Sequence, residues 1–190
     1  MSRDRLALVT MNKNKLKEIA PVFKKYNIEF ETASIEKHEI RSDSVAEIAR
    51  TAARAAFDTL QQPVVVDDTG FFVTSLNGFP GAYAAFVLKS IGYEGILVLM
   101  KGKKNRASEF RTAVGFCDGA HLKTFEGLMS GSLANEPAGN GGFGYDPIFV
   151  PDGYTKTYAE LSFEEKVSIS HRTRAFEEFL KWYTSRSDKP

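Results

Sequence analysis

The stretch Pro63-Val-Val-Val-Asp-Asp-Thr-Gly70 decides the reading of this chain. Three consecutive valines form a β-branched apolar run with no polar residue between them, the pattern of a strand covered on both faces. Charge enters abruptly at Asp67 and Asp68, where the strand is expected to end. Side chains alternate along a strand, so one carboxylate is expected to face a site and the other to cap or pair on the far side. Two carboxylates at the carboxyl end of a central strand occupy the usual position of an α/β active site, and hard oxygen donors of this kind suit Mg2+. Asp-Asp-Thr-Gly is also good turn chemistry, which is the plainer alternative.

Upstream, Leu6-Ala-Leu-Val9 is a short apolar run ending in Thr10-Met-Asn12, after which Leu16, Ile19, Phe23 and Tyr26 take helical spacing. Pro21 lies inside that helix and is expected to kink or interrupt it, because it lacks a donor and crowds the preceding turn. Residues 28–35 read as a second strand. Ser44-Val-Ala-Glu47 matches a capping box and opens a long helix to Leu60. Downstream, Gly78-Phe-Pro-Gly81 is a turn, residues 82–100 are helical with a break near Gly92, and residues 101–106 form a basic connector read as a solvated loop. Residues 110–117 and 122–133 read as strands joined at Asp118-Gly119, a hairpin signal. A second capping box, Ser162-Phe-Glu-Glu165, and a helix start at Ser170 precede a final helix with Ala175, Phe176, Phe179, Leu180 and Tyr183 on its apolar face. Strands and helices alternate and a strand pair follows, which predicts an α/β fold with a mixed sheet.

A chain of 190 residues buries roughly 70% of its unfolded surface, so residues 1–190 are expected to form a single domain. With 25 Lys and Arg against 24 Asp and Glu, the net charge of +1 argues against a protein held to nucleic acid or anionic lipid by its bulk field. Any anion must be caught locally. Cys117 is the only cysteine, which excludes an intrachain disulfide and, with His121, is too small a set for a closed zinc site. The apolar run before Thr10 is too short for a signal-peptide core, and no stretch approaches the roughly 18 apolar residues of a membrane span. A cytoplasmic protein with no membrane partner is expected.

Local anion capture has a candidate. Lys13, Lys15 and Lys17 crowd the start of the first helix, where the dipole already presents positive potential. A bound phosphate would resolve this, with free N–H groups, the dipole and a lysine converging on one anion. A helix with Asn12 as N-cap and solvated lysines is the alternative, and no Walker A pattern is present. Glu39 is a candidate second metal carboxylate beside the Asp67-Asp68 pair. The run from Gly139 to Asp146 matches G-x-G-x-x-G but lacks the strand before and the helix after that a dinucleotide fingerprint needs. What remains is a flexible loop carrying Phe143 and Tyr145 beside Asp146, suited to stacking on a base, or else a glycine-rich turn whose aromatics fill core. Lys166 and His171-Arg172 fall near a helix junction, either as anion ligands or as salt-bridged surface residues.

Taken in order, Thr10-x-Asn12-x-x-Lys15-x-x-Glu18, Asp67-Asp68-Thr69-Gly70, Gly78-Phe-Pro-Gly81, the segment from Gly142 to Phe149, and Ser170-His171-Arg172 resemble the inosine/xanthosine triphosphate pyrophosphatase family from Leu6 to about Trp182. The resemblance implies an elongated mixed sheet with two lobes and a central cleft, a homodimer, and Mg2+-dependent hydrolysis of ITP, dITP and XTP to monophosphate and pyrophosphate. It implies that Thr10, Asn12 and Lys15 bind phosphate, and that Glu39 and Asp68 hold the metal, Asp68 also accepting the proton. Thr69 would contact substrate, the segment Phe143, Gly144, Tyr145 and Asp146 would bind the base, and Lys166, His171 and Arg172 would close over phosphate and base. Many family members carry a lysine sixteen positions before the second aspartate; here that position is Ala52, flanked by Arg50 and Arg54. A pyrophosphatase for other modified nucleotides, such as pyrimidines, and a non-catalytic nucleotide-binding module are the alternatives.

Overall fold

The valine run lies in β3 (Val64–Val73), a strand of ten residues that does not stop at the aspartates. A computed structural model describes residues 6–36 and 40–186. Strand β1 (Leu6–Val9) pairs in parallel with β2 (Phe30–Ala33) and with β3, the latter through Ala7, Leu8 and Val9 against Val64, Val65 and Val66. That parallel pairing ends with β1, and Asp67 and Asp68 are the first residues beyond it. β3 then continues and pairs antiparallel with β4 (Pro80–Gly81) through Phe71 and Phe72. The expectation that the strand ends at the charged pair is therefore corrected. The parallel neighbour ends there, and a new antiparallel neighbour carries β3 onward. With β5 (Ala107–Cys117), β6 (Leu122–Leu133) and β7 (Phe149–Pro151), the sheet order is β2-β1-β3-β5-β6-β7, with β4 attached to β3. The α/β class with a mixed sheet stands as expected.

The chain divides into two compact units. In the first, formed by Met1–Asp68, Thr112–Gly127 and Arg172–Pro190, the period-two alternation of the strands decides which helix covers which face. Leu6, Leu8, Val65, Val114 and Phe116 pack against Ile19, Val22 and Phe23 of α1 (Lys13–Lys25) and Ala175, Phe176, Phe179 and Leu180 of α5 (His171–Ser185). Ala7, Val9, Val64, Val66 and Cys117 take the opposite face, under Ala52, Ala53 and Ala56 of α2 (Val45–Leu60). The small alanine face lets α2 lie close to the sheet.

Helix α1 runs unbroken through Pro21. Pro21 and Lys17 are both exposed, so the carbonyl that loses its intrahelical donor faces water. The first capping box is modified. Ser44 Oγ caps the Glu47 N–H at 3.2 Å, but the Glu47 carboxylate accepts from Ser42 Oγ at 2.6 Å, and Ser42 Oγ in turn accepts the Ser44 N–H at 3.1 Å. The second box, at α4 (Phe163–Ile169), is complete. At its far end α5 is held by Arg186, whose guanidinium lies over the Phe116 and Trp182 rings and pairs with Asp118 in the β5–β6 turn.

The second unit, Thr69–Arg111 with Leu128–His171, has its own core of Phe71, Phe110, Tyr145, Ile148, Phe149 and Tyr158 together with Val87 and Ile96 from α3 (Ala84–Leu99). Gly92, at φ +66°, supplies the break expected within that helix.

At Gly115 of β5 the helix α2 lies so close that a Cβ there would overlap the Ala49 carbonyl and touch Ala53 Cβ at 3.1 Å. Gly115→Val is expected to lower stability by about 1–3 kcal/mol, seen as a reduced midpoint in urea unfolding.

Candidate active site

In the first unit the turn from β1 into α1 is built by short polar side chains. Thr10 Oγ1 accepts the Asn12 N–H at 3.2 Å, and Asn12 Oδ1 accepts the N–H groups of Asn14 and Lys15 at 3.0 and 3.3 Å. Asn12 is thus the N-cap its position suggested. The first turn of α1 carries no acidic residue. Lys13 and Lys17 are exposed, whereas Lys15 turns inward and places Nζ 2.8 Å from Asp67 Oδ2.

Asp67 shares the face of β3 that Val65 presents to α1 and α5, and both helices answer its charge. Besides Lys15, its Oδ2 accepts from Arg172 Nε at 3.4 Å, and Arg172 Nη1 pairs with Glu18 of α1. The Asp67 side chain is 1% exposed and Arg172 3%, so these charges persist inside the fold only because they are matched. Half-buried Lys15 and buried Arg172 against buried Asp67 and Glu18 make four formal charges that sum to zero.

Strand alternation sends Asp68 to the opposite face, the one presented by Val66 toward α2. Asp68 is 8% exposed. Ala52 lies in the alanine face of α2 and offers no charge; Arg54 points outward and pairs with Asp58, and Arg50 is exposed. Glu39 lies outside the described residues. Among the described residues no group of three or more His, Cys, Asp or Glu converges as a cage for a metal ion. Asp68 nevertheless fits Mg2+ chemically, as a hard oxygen donor, and Mg2+ bound with substrate phosphates commonly takes only one or two protein carboxylates.

In the second unit the glycine-rich loop is stapled rather than flexible. Gly141 N–H donates to Ala159 O at 3.0 Å, Ala159 N–H to Asp146 O at 3.2 Å, and Phe143 N–H to Asp146 Oδ2 at 2.9 Å. The same Oδ2 takes Lys166 Nζ at 2.6 Å, and that ammonium stands 5.6 Å from the Phe143 ring centre and 4.4 Å from that of Tyr158. Gly142, at φ +73°, has no room for a Cβ, which would run into the Asp146 carboxylate. Phe143 and Gly144 are half-buried, and His171 is buried, stacked on Phe110 at 4.9 Å. Thr69 is half-buried in β3.

Tyr145 departs from expectation. Its ring is buried against Phe71 at 4.6 Å and its hydroxyl donates to Ala84 O at 2.8 Å. Burial pushes its pKa well above the ordinary tyrosine value. The ring therefore packs in the core, the plainer of the two alternatives for this loop, and Tyr145 anchors the loop from its inner side.

The family model described as the Ham1 family matches residues 6–182. The chain belongs to the Ham1 family. It is similar to a protein named dITP/XTP pyrophosphatase from Methanopyrus kandleri, 47% identical over 180 residues that cover 94% of this chain and 96% of the relative. A protein of the same name from Saccharolobus solfataricus is 46% identical over 185 residues, covering 97% and 96%. The solved structure of the Staphylococcus aureus Ham1 protein matches with a TM-score of 0.83 at 27% identity, over 96% of this chain and 100% of that one.

Within this Ham1 chain, sequence reasoning left Glu18 and Tyr158 without a role. Glu18 carried a usable signal, since it follows Lys15 by three residues and adjoins Ile19 on the inward side of α1. Tyr158, whose hydroxyl donates to Lys166 O at 3.0 Å, sits in a segment with no periodic pattern and carried none. Tyr145→Phe is expected to cost about 1 kcal/mol in denaturant unfolding through the lost bond to Ala84, while leaving the KM for nucleotide within about twofold.

Proposed function

We propose that this chain hydrolyses non-standard purine nucleoside triphosphates, dITP, ITP and XTP, to the nucleoside monophosphate and pyrophosphate. The observation that carries the reading is the division of labour at Asp67-Asp68: the first carboxylate holds Lys15 and Arg172, and the second projects from the other face of the strand. The names of the relatives at 46–47% identity support the substrate class.

In this reading Thr10, Asn12 and Lys15 receive the triphosphate at the start of α1, where backbone N–H groups and the helix dipole add to the lysine charge. Asp68 and Glu39 would hold Mg2+, which when bound supplies charge neutralisation on the phosphate oxygens. Asp68 also accepts a proton from the attacking water. Water adds to the α-phosphorus, the bond from that phosphorus to the α,β-bridging oxygen breaks, and pyrophosphate departs with that oxygen. Such a displacement asks the protein mainly for positioning and charge, which fixed side chains deliver.

Phe143 is assigned to stack on the base, with Gly144 leaving its approach open and Asp146 and Lys166 fixing the loop that carries it. Thr69 and His171 are assigned to substrate contact. The 6-oxo group of hypoxanthine and xanthine accepts a hydrogen bond where adenine presents a donor. A guanidinium with fixed orientation, that of Arg172, or a backbone N–H supplies the matching donor, and an unpaired group there costs roughly 1–3 kcal/mol, about tenfold to a hundredfold in selectivity.

Phe79, Tyr83 and Phe86, the last 71% exposed, are apolar side chains left exposed around the start of α3. A second copy of the chain is proposed to cover them, giving a homodimer. Because its substrates belong to the nucleotide pool, the protein is assigned to the cytoplasm; among the described residues no helix is long and apolar enough to cross a membrane.

A pyrophosphate-release panel over dITP, ITP, XTP, GTP, ATP and pyrimidine triphosphates, with and without Mg2+, tests the activity. The 6-oxo purines dITP, ITP and XTP are expected to exceed ATP by at least tenfold, and equal rates on ATP would overturn the substrate assignment. Asp68→Asn should fold normally and lose about a hundredfold to ten-thousandfold in kcat. Phe86→Glu should shift the protein from dimer to monomer in light scattering.

A further inference from the structure

Asp67 does more than satisfy a neighbouring charge, because a single oxygen of its carboxylate, Oδ2, meets both Lys15 and Arg172. Those two cations come from different helices, Lys15 from the first turn of α1 and Arg172 from the first turn of α5. Resting on the proposed function, one is directed at phosphate and the other at the base. We propose that Asp67 is a positioning residue that couples these two substrate contacts, so that Lys15 and Arg172 are set together rather than independently.

The coupling follows from competition at one oxygen. Lys15 Nζ lies 2.8 Å from Oδ2 and Arg172 Nε lies 3.4 Å from it, the lysine holding the closer contact. An incoming polyphosphate must draw Lys15 away from that oxygen. The charge it relinquishes is then available to Arg172, whose orientation is also held by Glu18. Phosphate engagement thereby strengthens the hold on the base-directed guanidinium. The four side chains sum to zero, and the three that are buried, Glu18, Asp67 and Arg172, are weakly screened, so loss of the Asp67 charge is felt by its partners.

This arrangement makes two effects move in opposite directions. Asp67→Asn removes the competitor for Lys15 and leaves the cluster with a net positive charge, so inorganic tripolyphosphate should bind about three- to tenfold more tightly by calorimetry. The same variant frees the orientation of Arg172, so the ratio of kcat/KM for dITP over dATP should fall about tenfold. A purely structural role would weaken both. Asp67→Glu retains the charge but moves the oxygen by one methylene; it should keep the wild-type tripolyphosphate affinity and still lose discrimination, which supplies the test if the Asn variant does not fold.

The proposal is overturned if a folded Asp67→Asn protein binds tripolyphosphate no more tightly than wild type, or if either variant keeps full discrimination. Failure of the proposed activity looks different. Wild-type protein would then show no preference for dITP, while the tripolyphosphate comparison, which needs no turnover, would still report on the hold of Asp67 over Lys15.

Discussion

A carboxylate buried on the α1 and α5 side of β3 has to be matched by cations, and the site is arranged around that requirement. Asp67 draws Lys15 inward from a helix start otherwise crowded with exposed lysines, and draws Arg172 inward from the start of α5. Glu18 then balances the second cation. Breaking one member of such a set leaves an uncompensated buried charge, which is why these positions act as a unit. The alternation of β3 does the rest. With Val65 and Asp67 on one face, Val66 and Asp68 must lie on the other, and a one-residue slip of register would exchange the two aspartates.

The loop of the second unit meets a similar constraint with different parts. Asp146 Oδ2 accepts from the Phe143 backbone and from Lys166, so the acid ties the loop to itself and to α4. Gly142 adopts a positive φ and lacks the Cβ that would collide with that carboxylate. Tyr145 pins the loop on its inner side. A loop ordered in this way before any ligand arrives has less conformational freedom to lose on binding, and the aromatic it leaves half-buried is Phe143.

Much of this was legible in the residues, and the exceptions have specific causes. Strand β1, the α2 cap at Ser44, the break at Gly92 and the complete box at Ser162 follow from local patterns whose physics is local. Pro21 misled because its effect on a helix depends on whether the orphaned carbonyl meets water, which is decided by what packs on the other face. The end of β3 was misplaced because a charged pair looks like a terminus. It marks instead the end of the parallel partner β1, and β4 takes over as the neighbour. Phe143 and Tyr145 are both aromatics in one loop, and composition does not say which of them a core will claim.

The residues alone determined the α/β class, the short elements and the kinds of group available for chemistry: carboxylates after a buried strand, lysines at a helix start, aromatics among glycines. They also determined that adjacent carboxylates must diverge, because alternation is a property of any strand. Tertiary structure decided what stands over each face. It gave Asp67 to Lys15 and Arg172, turned Arg54 away toward Asp58, and sent Tyr145 into the core against Phe71. Periodicity carries the parity of a side chain, but the partner that answers its charge comes from a helix more than a hundred residues away in the case of Arg172. That pairing exists only once the sheet has brought the two segments together.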